Sequence, residues 1–250
     1  MIKLLNLSAR FALLLFCFGT APAVFAQKPA GSRYPLETLG GHLGLQLAMP
    51  ARPMRDAVRN EMGNIGFGAG LSVLSNPLSW GRRKRNSPFR VGGEAGYTYY
   101  GRFLSDVNIG GYRGSYKTSY GIMQLNGIVQ LRPMYTESIT PFLEVLAGGN
   151  IYLSNTRENL SVIESALGIP AFEIDSYASV GFNKGLAAGF TFGKPAAPAR
   201  FLVRASYNVG SNIKYVVRNS LQYDPGSNFL SYQVAKAPVR YLLLQVGVAF

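Results

Sequence analysis

A small set of ionisable side chains interrupts otherwise uncharged, alternating segments of this 250-residue chain. In a strand, residues two apart share a face, so these charges lie opposite apolar side chains. If they face one enclosed interior, the glutamates must pair with arginines, because an unpaired buried charge is costly. Amide and imidazole groups on the same face would fill the remaining hydrogen bonds. The predicted polar network consists of Arg90, Glu94, Arg132, Glu144 and Arg204, with His42, Gln46 and Gln124 beside them, and Gln130 and Asn208 as further partners.

The chain offers little that points to catalysis. His42 is its only histidine, and a Ser/His/Asp site would need it beside a serine such as Ser72 and an acid. The glycines of 66–70 lack the helix and the later acid of a phosphate-binding loop. The spacing of the His, Cys, Asp and Glu residues does not suggest a metal site. We therefore expect no enzyme activity, no metal and no cofactor.

Composition narrows the class of protein. Lys and Arg total 25 against 12 acids, which gives a net charge of +13, yet charged residues make up only 15% of the chain. A hydrophobic content of 48% excludes a disordered chain. The single cysteine excludes a disulfide scaffold. The charge allows nucleic-acid binding without requiring it.

The N-terminus has the features of a cleaved secretory signal. A basic start is followed by an apolar stretch at 11–18 and by Val24-Phe25-Ala26, which has small residues at the positions that a signal peptidase recognises. We predict a signal peptide over 1–26 and a short periplasmic leader over 27–36. Cleavage would remove the only cysteine and lower the net charge to 23 − 12 = +11. Nucleic-acid partners are therefore not expected.

Eight segments after the leader alternate with the period of a strand. In the last of them, Leu242, Leu244, Val246, Val248 and Phe250 share one face. The opposite faces carry mostly Gly, Ala, Ser, Asn and Gln, whereas the outer face of a soluble β-sandwich would be charged. A charge-free face suits lipid, and sheet edges are not tolerated in hydrocarbon. The pattern predicts an all-β fold over 37–250: a closed, eight-stranded, antiparallel transmembrane β-barrel with up-and-down order.

Loop lengths predict the orientation. With both termini in the periplasm, the segments near 50–64, 102–116, 152–178 and 210–238 would lie outside. Those near 75–88, 133–139 and 194–200 would be inner turns.

The pattern resembles the small outer-membrane β-barrels of the OmpA, OmpX and OmpW types. Its most specific feature is the final strand, Tyr241 to Phe250, which is similar to the signal that the barrel-assembly machinery reads, carried here by Tyr241, Leu242, Leu244, Val246, Val248 and Phe250. The resemblance implies a bacterial outer-membrane location and the assembly machinery as a partner in biogenesis. It does not imply a single function, because related barrels serve many.

Residues near the two rims suggest contacts with the envelope. By the alternation of their strands, Lys184 and Arg240 face the lipid at the outer ends of those strands. Lipopolysaccharide phosphates would be natural partners there. The inner turn carries the basic run Arg82, Arg83, Lys84 and Arg85, either solvated or in contact with lipid head groups, peptidoglycan or a protein. Aromatic girdles are predicted from Tyr97, Tyr99 and Tyr241 above and from Phe89, Phe192 and Phe250 below. The outer loop 153–177 combines acids with apolar residues and is either an ordinary ordered loop or a docking surface.

Three functions remain open from the sequence. The first is a non-enzymatic structural or accessory barrel, acting through loops and rims, with a lumen closed by the polar network and an envelope protein as a partner. The second is a narrow channel for small or apolar solutes, as the OmpW resemblance suggests, in which the same charges would form a gate. The third is a lipid-modifying enzyme.

Overall fold

The fold was analysed in a computed structural model. It describes residues 39–58, 63–79, 87–109, 112–133, 138–159, 176–194, 197–217, 220, 222–224 and 229–250. Residues 36–250 form one compact unit. The predicted signal peptide and leader lie outside the described residues.

Eight long strands and a short hairpin make up most of the described chain. The strands are β1 (Leu39–Pro50), β2 (Gly66–Ser75), β3 (Phe89–Ile109), β4 (Tyr112–Leu131), β5 (Ile139–Asn159), β6 (Ser176–Phe192), β7 (Arg200–Val216), β8 (Gln222–Asp224), β9 (Phe229–Ser231) and β10 (Val234–Ala249). A short helix, α1 (Met54–Val58), follows β1, and a 3₁₀ turn (Pro77–Ser79) follows β2.

The long strands close into a barrel in the order β1-β10-β7-β6-β5-β4-β3-β2, while β8 and β9 pair only with each other. Every pairing is between antiparallel neighbours. The seam joins the first strand to the last, with His42 opposite Ala249 and Pro50 opposite Tyr241. The predicted closed eight-stranded antiparallel barrel is confirmed.

Alternation sorts the side chains between the wall and the lumen. Leu45 on the wall is 75% exposed, whereas its neighbour Gln46 is 5% exposed. The same pattern leaves the outward leucines, valines and phenylalanines of all eight strands in contact with the surroundings. Such a surface would be unfavourable in water and is what a bilayer requires of a spanning barrel.

Several strands run further at their outer ends than the sequence predicted. Much of the predicted outer loop 102–116 is strand, because β3 and β4 stay paired as far as Ile109 and Tyr112. The predicted loops 152–178 and 210–238 likewise begin and end with strand residues. The strand ends at the inner turns agree with the prediction. Only one end of the barrel is therefore extended beyond the alternating segments.

Two irregularities change which face a side chain occupies. The pairing of β3 with β4 shifts between Tyr99 and Gly101, where Gly101 has a φ of +109°, a conformation that favours glycine. On β7, two residues lie between Val209 and Asn212, whereas one lies between their partners Arg240 and Pro238. An extra residue of this kind is a β-bulge, and it reverses the inside-outside parity beyond it.

In the described part of the chain, none of the helices has the length and apolar character that a membrane-crossing helix requires.

Candidate functional site: the filled lumen

Arg204 is the centre of a polar network in the half of the lumen nearer the short turns that join β2 to β3, β4 to β5 and β6 to β7. Its side chain is 1% exposed, and Nε donates to Oε2 of Glu144 at 2.7 Å. A terminal guanidinium nitrogen lies 2.7 Å from Oε2 of Glu94, and the other donates to Oε1 of Gln245 at 3.1 Å. One cation thus bridges two buried carboxylates from different strands. Charge-assisted contacts of this length are among the stronger ones in proteins.

The Glu144 end of the network continues toward the inner rim. Gln130 donates to Oε1 of Glu144 at 2.7 Å, and Arg132 donates to Oε1 of Gln130 at 2.7 Å. His42 lies beside this group, with Nε2 3.8 Å from the same Glu144 oxygen. These residues come from three strands, so the network ties together parts of the wall that are not hydrogen-bonded neighbours.

The Glu94 end runs upward through asparagines. Asn126 donates to Oε1 of Glu94 at 3.1 Å and accepts from Asn183 at 3.0 Å. Asn183 also donates to Asn208 at 3.4 Å, and Asn208 donates to Ser206 at 3.0 Å. The alternation pattern placed Asn126 and Asn208 on inner faces, but Asn183 and Gln245 were not recognised as members of the network.

The remaining predicted lumen residues also point inward. Arg90, Gln46 and Gln124 are buried, and Gln46 donates to Thr98 at 3.0 Å and to the carbonyl of Tyr97 at 3.2 Å. Arg200, which the sequence analysis missed, is buried near the start of β7. Arg200 lies at the end of its strand. The sequence could not predict whether its side chain points inward or outward, because an alternating segment cannot be extended reliably past its last apolar residue.

The pair His42 and Ser72 does not have the arrangement of a catalytic site. The Ser72 hydroxyl accepts from the main-chain N–H of His42 at 3.2 Å, so it does not contact the imidazole through that bond. Both side chains are buried in the filled lumen. A nucleophilic serine needs its base within hydrogen-bond reach and a path for substrate. Within the described residues, His, Cys, Asp and Glu side chains form no group of three able to hold a metal ion.

The upper lumen holds an apolar tier, which we call the tyrosine cluster. It consists of Ala48, Met54, Val58, Tyr100, Tyr120, Ile122, Tyr152, Ile213, Tyr215, Ala237, Val239, Tyr241 and Leu243. Tyr120 and Tyr152 pack with ring centroids 6.3 Å apart, and Tyr120 also donates to the carbonyl of Val216 at 3.1 Å. The hydroxyl groups of Tyr120, Tyr215 and Tyr241 have hydrogen-bond partners although these rings are buried, whereas that of Tyr100 has none among the described residues. Buried apolar side chains thus pack together in the lumen above the polar network.

Helix α1 covers the outer end of the tyrosine cluster. Its Met54 and Val58 are buried in that cluster, and Tyr215 donates to the carbonyl of Ala57 at 3.0 Å. The loop before the helix is tied to β10, because the N–H of Ala51 donates to the carbonyl of Arg240 at 2.8 Å. The first outer loop is therefore part of the lumen filling.

The prediction of Tyr241 as a girdle residue is wrong. Tyr241 is 1% exposed, lies in the tyrosine cluster and donates to Oδ1 of Asn150 at 3.4 Å, which links the two tiers. It has the inward parity of Leu243, opposite to that of Leu242, and the girdle prediction overlooked this. Among the described residues, Tyr97 and Tyr207 are the tyrosines on the wall that are more than two-fifths exposed.

The other members of the final strand form the seam and the wall. Leu242, Leu244, Val246, Val248 and Phe250 are all outward and exposed. Since β10 closes the barrel against β1, the predicted assembly signal occupies the last pairing that completes the wall.

Lys184 and Arg240 both lie exposed on the outer wall. They are opposite the same residue, Val209, one on each side. The basic run Arg82, Arg83, Lys84 and Arg85 lies outside the described residues, as does most of the acidic loop, at 160–175.

No protein-family model matches this chain, and no curated protein matches it. Solved structures that are similar to it include Neisserial surface protein A, at 11% identity over 84% of this chain and 95% of that one, with a TM-score of 0.42. The attachment invasion locus protein Ail of Yersinia pestis is 14% identical over 85% and 97%, with a TM-score of 0.39. A major outer membrane protein of Thermus thermophilus is 14% identical over 84% and 98%, with a TM-score of 0.45.

The fold is that of the small outer-membrane β-barrels. The closed order of eight antiparallel strands and the apolar wall carry this statement by themselves. The three solved structures share less than 15% of their residues with this chain and have TM-scores below 0.5, so the fold rests on the strand order and the wall and not on them.

Proposed function

We propose that this protein is a non-enzymatic outer-membrane barrel that is closed to solutes and acts through its outer loops and rims. The observation that supports this function best is the filling of the lumen along its length. Glu94 and Glu144 both form ion pairs with Arg204, and the tyrosine cluster lies above these ion pairs.

The filling has three levels, and each would have to move before a solute could pass. A small apolar layer of Phe142, Leu202 and Ala249 lies near the inner rim, below Arg204. The polar network follows, and the tyrosine cluster with α1 is uppermost. An eight-stranded barrel has an interior just wide enough for side chains, so little space remains beside these levels.

The apolar wall supports placement in a membrane. From Phe250 at the inner end of β10 to Arg240 is ten residues, or about 25 Å along the barrel axis at the usual strand rise and tilt. That height matches the apolar band of outer-membrane barrels. Export through a cleaved signal peptide and insertion by the assembly machinery complete the proposal, with an envelope protein as a further partner at the loops or rims.

Single-protein conductance tests the closed lumen. The folded wild-type protein, added to planar phospholipid bilayers, should give no ionic current above that of protein-free bilayers, and Glu94→Ala with Glu144→Ala should not introduce a gated current. Steady or gated conductance from the wild type would overturn the proposal and favour the channel. Incubation with labelled lipid A and phospholipid covers the enzyme alternative, for which turnover that His42→Ala abolishes would be decisive.

The partner at the loops calls for a separate experiment. Extraction of the full chain from its native envelope in mild detergent, followed by affinity capture and mass spectrometry, should recover the same envelope protein in repeated preparations. Recovery of the barrel alone would contradict the accessory role and leave a purely structural one.

A further inference from the structure

The outer wall formed by β6, β7 and β10 carries four exposed cations and no acid. Lys184, Lys214, Lys236 and Arg240 are all exposed. The three strands contain no aspartate or glutamate, so their cations have no neutralising partner within the same sheet segment. We call this surface the basic face.

The pairing register places the four cations in two rows. Lys184 and Arg240 flank Val209, so their Cα atoms lie two strand spacings apart, about 10 Å. Lys214 and Lys236 are directly opposite each other four residues further out, about 10 Å higher. Like charges directly opposite in a sheet are destabilising. The arrangement therefore costs stability unless an anion joins it.

The bulge on β7 creates the upper row. Without the extra residue between Val209 and Asn212, Lys214 would have the parity of Asn208 and would point into the lumen. With it, Lys214 is exposed, and Ile213 and Tyr215 enter the tyrosine cluster instead. A bulge re-aims side chains in this way.

The lower row lies among the outermost apolar side chains of the wall, because Val180 and Phe182 are exposed further out on β6 than Lys184. Lys184 is eight residues above Phe192 and Arg240 is ten above Phe250, which corresponds to about 20 and 25 Å. Apolar side chains adjoin these cations: Tyr207 lies below Val209 at 43% exposure, and Phe182 is 58% exposed on β6. Cations beside apolar surface at this height suit an acylated phosphate rather than a soluble anion.

We infer that the basic face binds the phosphorylated glycolipid of the outer leaflet, with the phosphates of lipid A on Lys184 and Arg240. Two phosphates on one lipid match two cations about 10 Å apart, and Lys214 and Lys236 lie at the height of the charged sugars beyond. The inference rests on the proposed placement in the outer membrane.

Among the described residues, the acid nearest to the basic face by contact between elements is on α1. Helix α1 contacts β10 and carries Asp56, but its carboxylate lies 3.7 Å from Arg52 and 4.0 Å from Arg55. Those arginines thus share the carboxylate of Asp56, so α1 brings no unshared acid to β10.

Lipid retention by the full chain in detergent tests the inference. Native mass spectrometry with hexaacyl lipid A carrying two phosphates should give one retained lipid, and Lys184→Gln with Arg240→Gln should weaken it about thirtyfold at roughly 1 kcal/mol per cation. The charge-preserving variant Lys184→Arg with Arg240→Lys should retain it. Removal of one phosphate from the lipid should weaken binding to the wild type and leave binding to the double glutamine variant unchanged.

A matched control is available on the opposite side of the barrel. Arg102 and Lys117 lie on β3 and β4, across the lumen from β7, and form a neighbouring pair of cations on the outer wall. Replacing both by glutamine makes the same change in charge and should leave lipid A retention within about twofold of the wild type. Equal losses from the two pairs would overturn the inference in favour of general attraction between anions and a basic protein.

In the last control, phosphatidylglycerol replaces lipid A at the same concentration. Retention as strong as that of lipid A would also overturn the inference, because a single phosphate would then suffice. Folding of each variant is checked by heat-modifiable migration on gels. The assay measures lipid binding and not current. A negative result would therefore not contradict the closed lumen, and conductance by the wild type would not contradict the lipid site.

Discussion

Replacing Arg204 by methionine would leave Glu94 and Glu144 without the guanidinium that bridges them. Both carboxylates lie within 2.7 Å of that group, and their side chains are 8% and 0% exposed. Methionine fills a similar volume without charge, so the variant tests the electrostatics more than the packing. It also leaves Gln245 without the donor to its Oε1.

The expected loss in the free energy of unfolding is about 4 kcal/mol. Breaking a buried ion pair by removing one partner typically costs 3–5 kcal/mol, because it leaves an uncompensated buried charge. Here one removal affects two carboxylates, whereas the remaining bonds from Gln130 and Asn126 soften the effect. The measurement is urea unfolding of the folded barrel in detergent micelles, followed by tryptophan fluorescence and by gel migration.

Two further variants show whether charge is the cause. Adding Glu94→Gln and Glu144→Gln to Arg204→Met removes the orphaned charges and keeps an acceptor oxygen at each position, so it should recover at least about 2 kcal/mol. Arg240→Met makes the same substitution on the exposed wall and should stay within about 0.5 kcal/mol of the wild type. The reasoning fails if Arg204→Met costs less than about 1 kcal/mol, or if the triple variant is no more stable than the single one.

Three other expectations concern the seam, the first loop and assembly. Gly247→Ala should destabilise the barrel by about 2 kcal/mol, because its new Cβ would meet the main chain of β1 at the seam, whereas Gly127→Ala, where the nearest atom would be 3.5 Å away, should change urea stability little. Tyr215→Phe should cost about 1 kcal/mol and speed amide hydrogen exchange in α1; unchanged exchange would contradict a stabilising role of the hydrogen bond from Tyr215 to the carbonyl of Ala57. Phe250→Ala should lower the amount of barrel inserted in the outer membrane more than Phe192→Ala does, and equal amounts would count against a terminal assembly signal.

The inner two-thirds of the wall could be predicted from the sequence because lipid imposes one simple rule there. Apolar side chains must face outward, so the period of two survives along every strand, as in Leu242 to Phe250. The same rule placed Glu94, Glu144 and Arg204 inside. Nothing in the period indicated that Arg204 would bridge both glutamates.

The outer third was not predictable by the same rule, and its strands were mistaken for loops. In this outer region the two faces of a strand no longer differ as apolar against polar. An apolar residue and a cation, Phe182 and Lys184, are both exposed on the outer face, while Tyr100 and Tyr120 are buried on the inner face. The bulges on β3 and β7 then shift the parity within this region. Alternation across a bulge assigns every later residue to the wrong face.

The sequence by itself determined the class of structure, because it has eight alternating segments that only a closed barrel can satisfy in a membrane. The tertiary structure decided the partners. Arg204 meets Glu144 across 60 residues of sequence because barrel closure brings β5 and β7 to face the same narrow lumen. Lys214 joins the basic face because one extra residue turns it outward. Both outcomes depend on register and closure, which belong to the pairing of strands and not to any single segment.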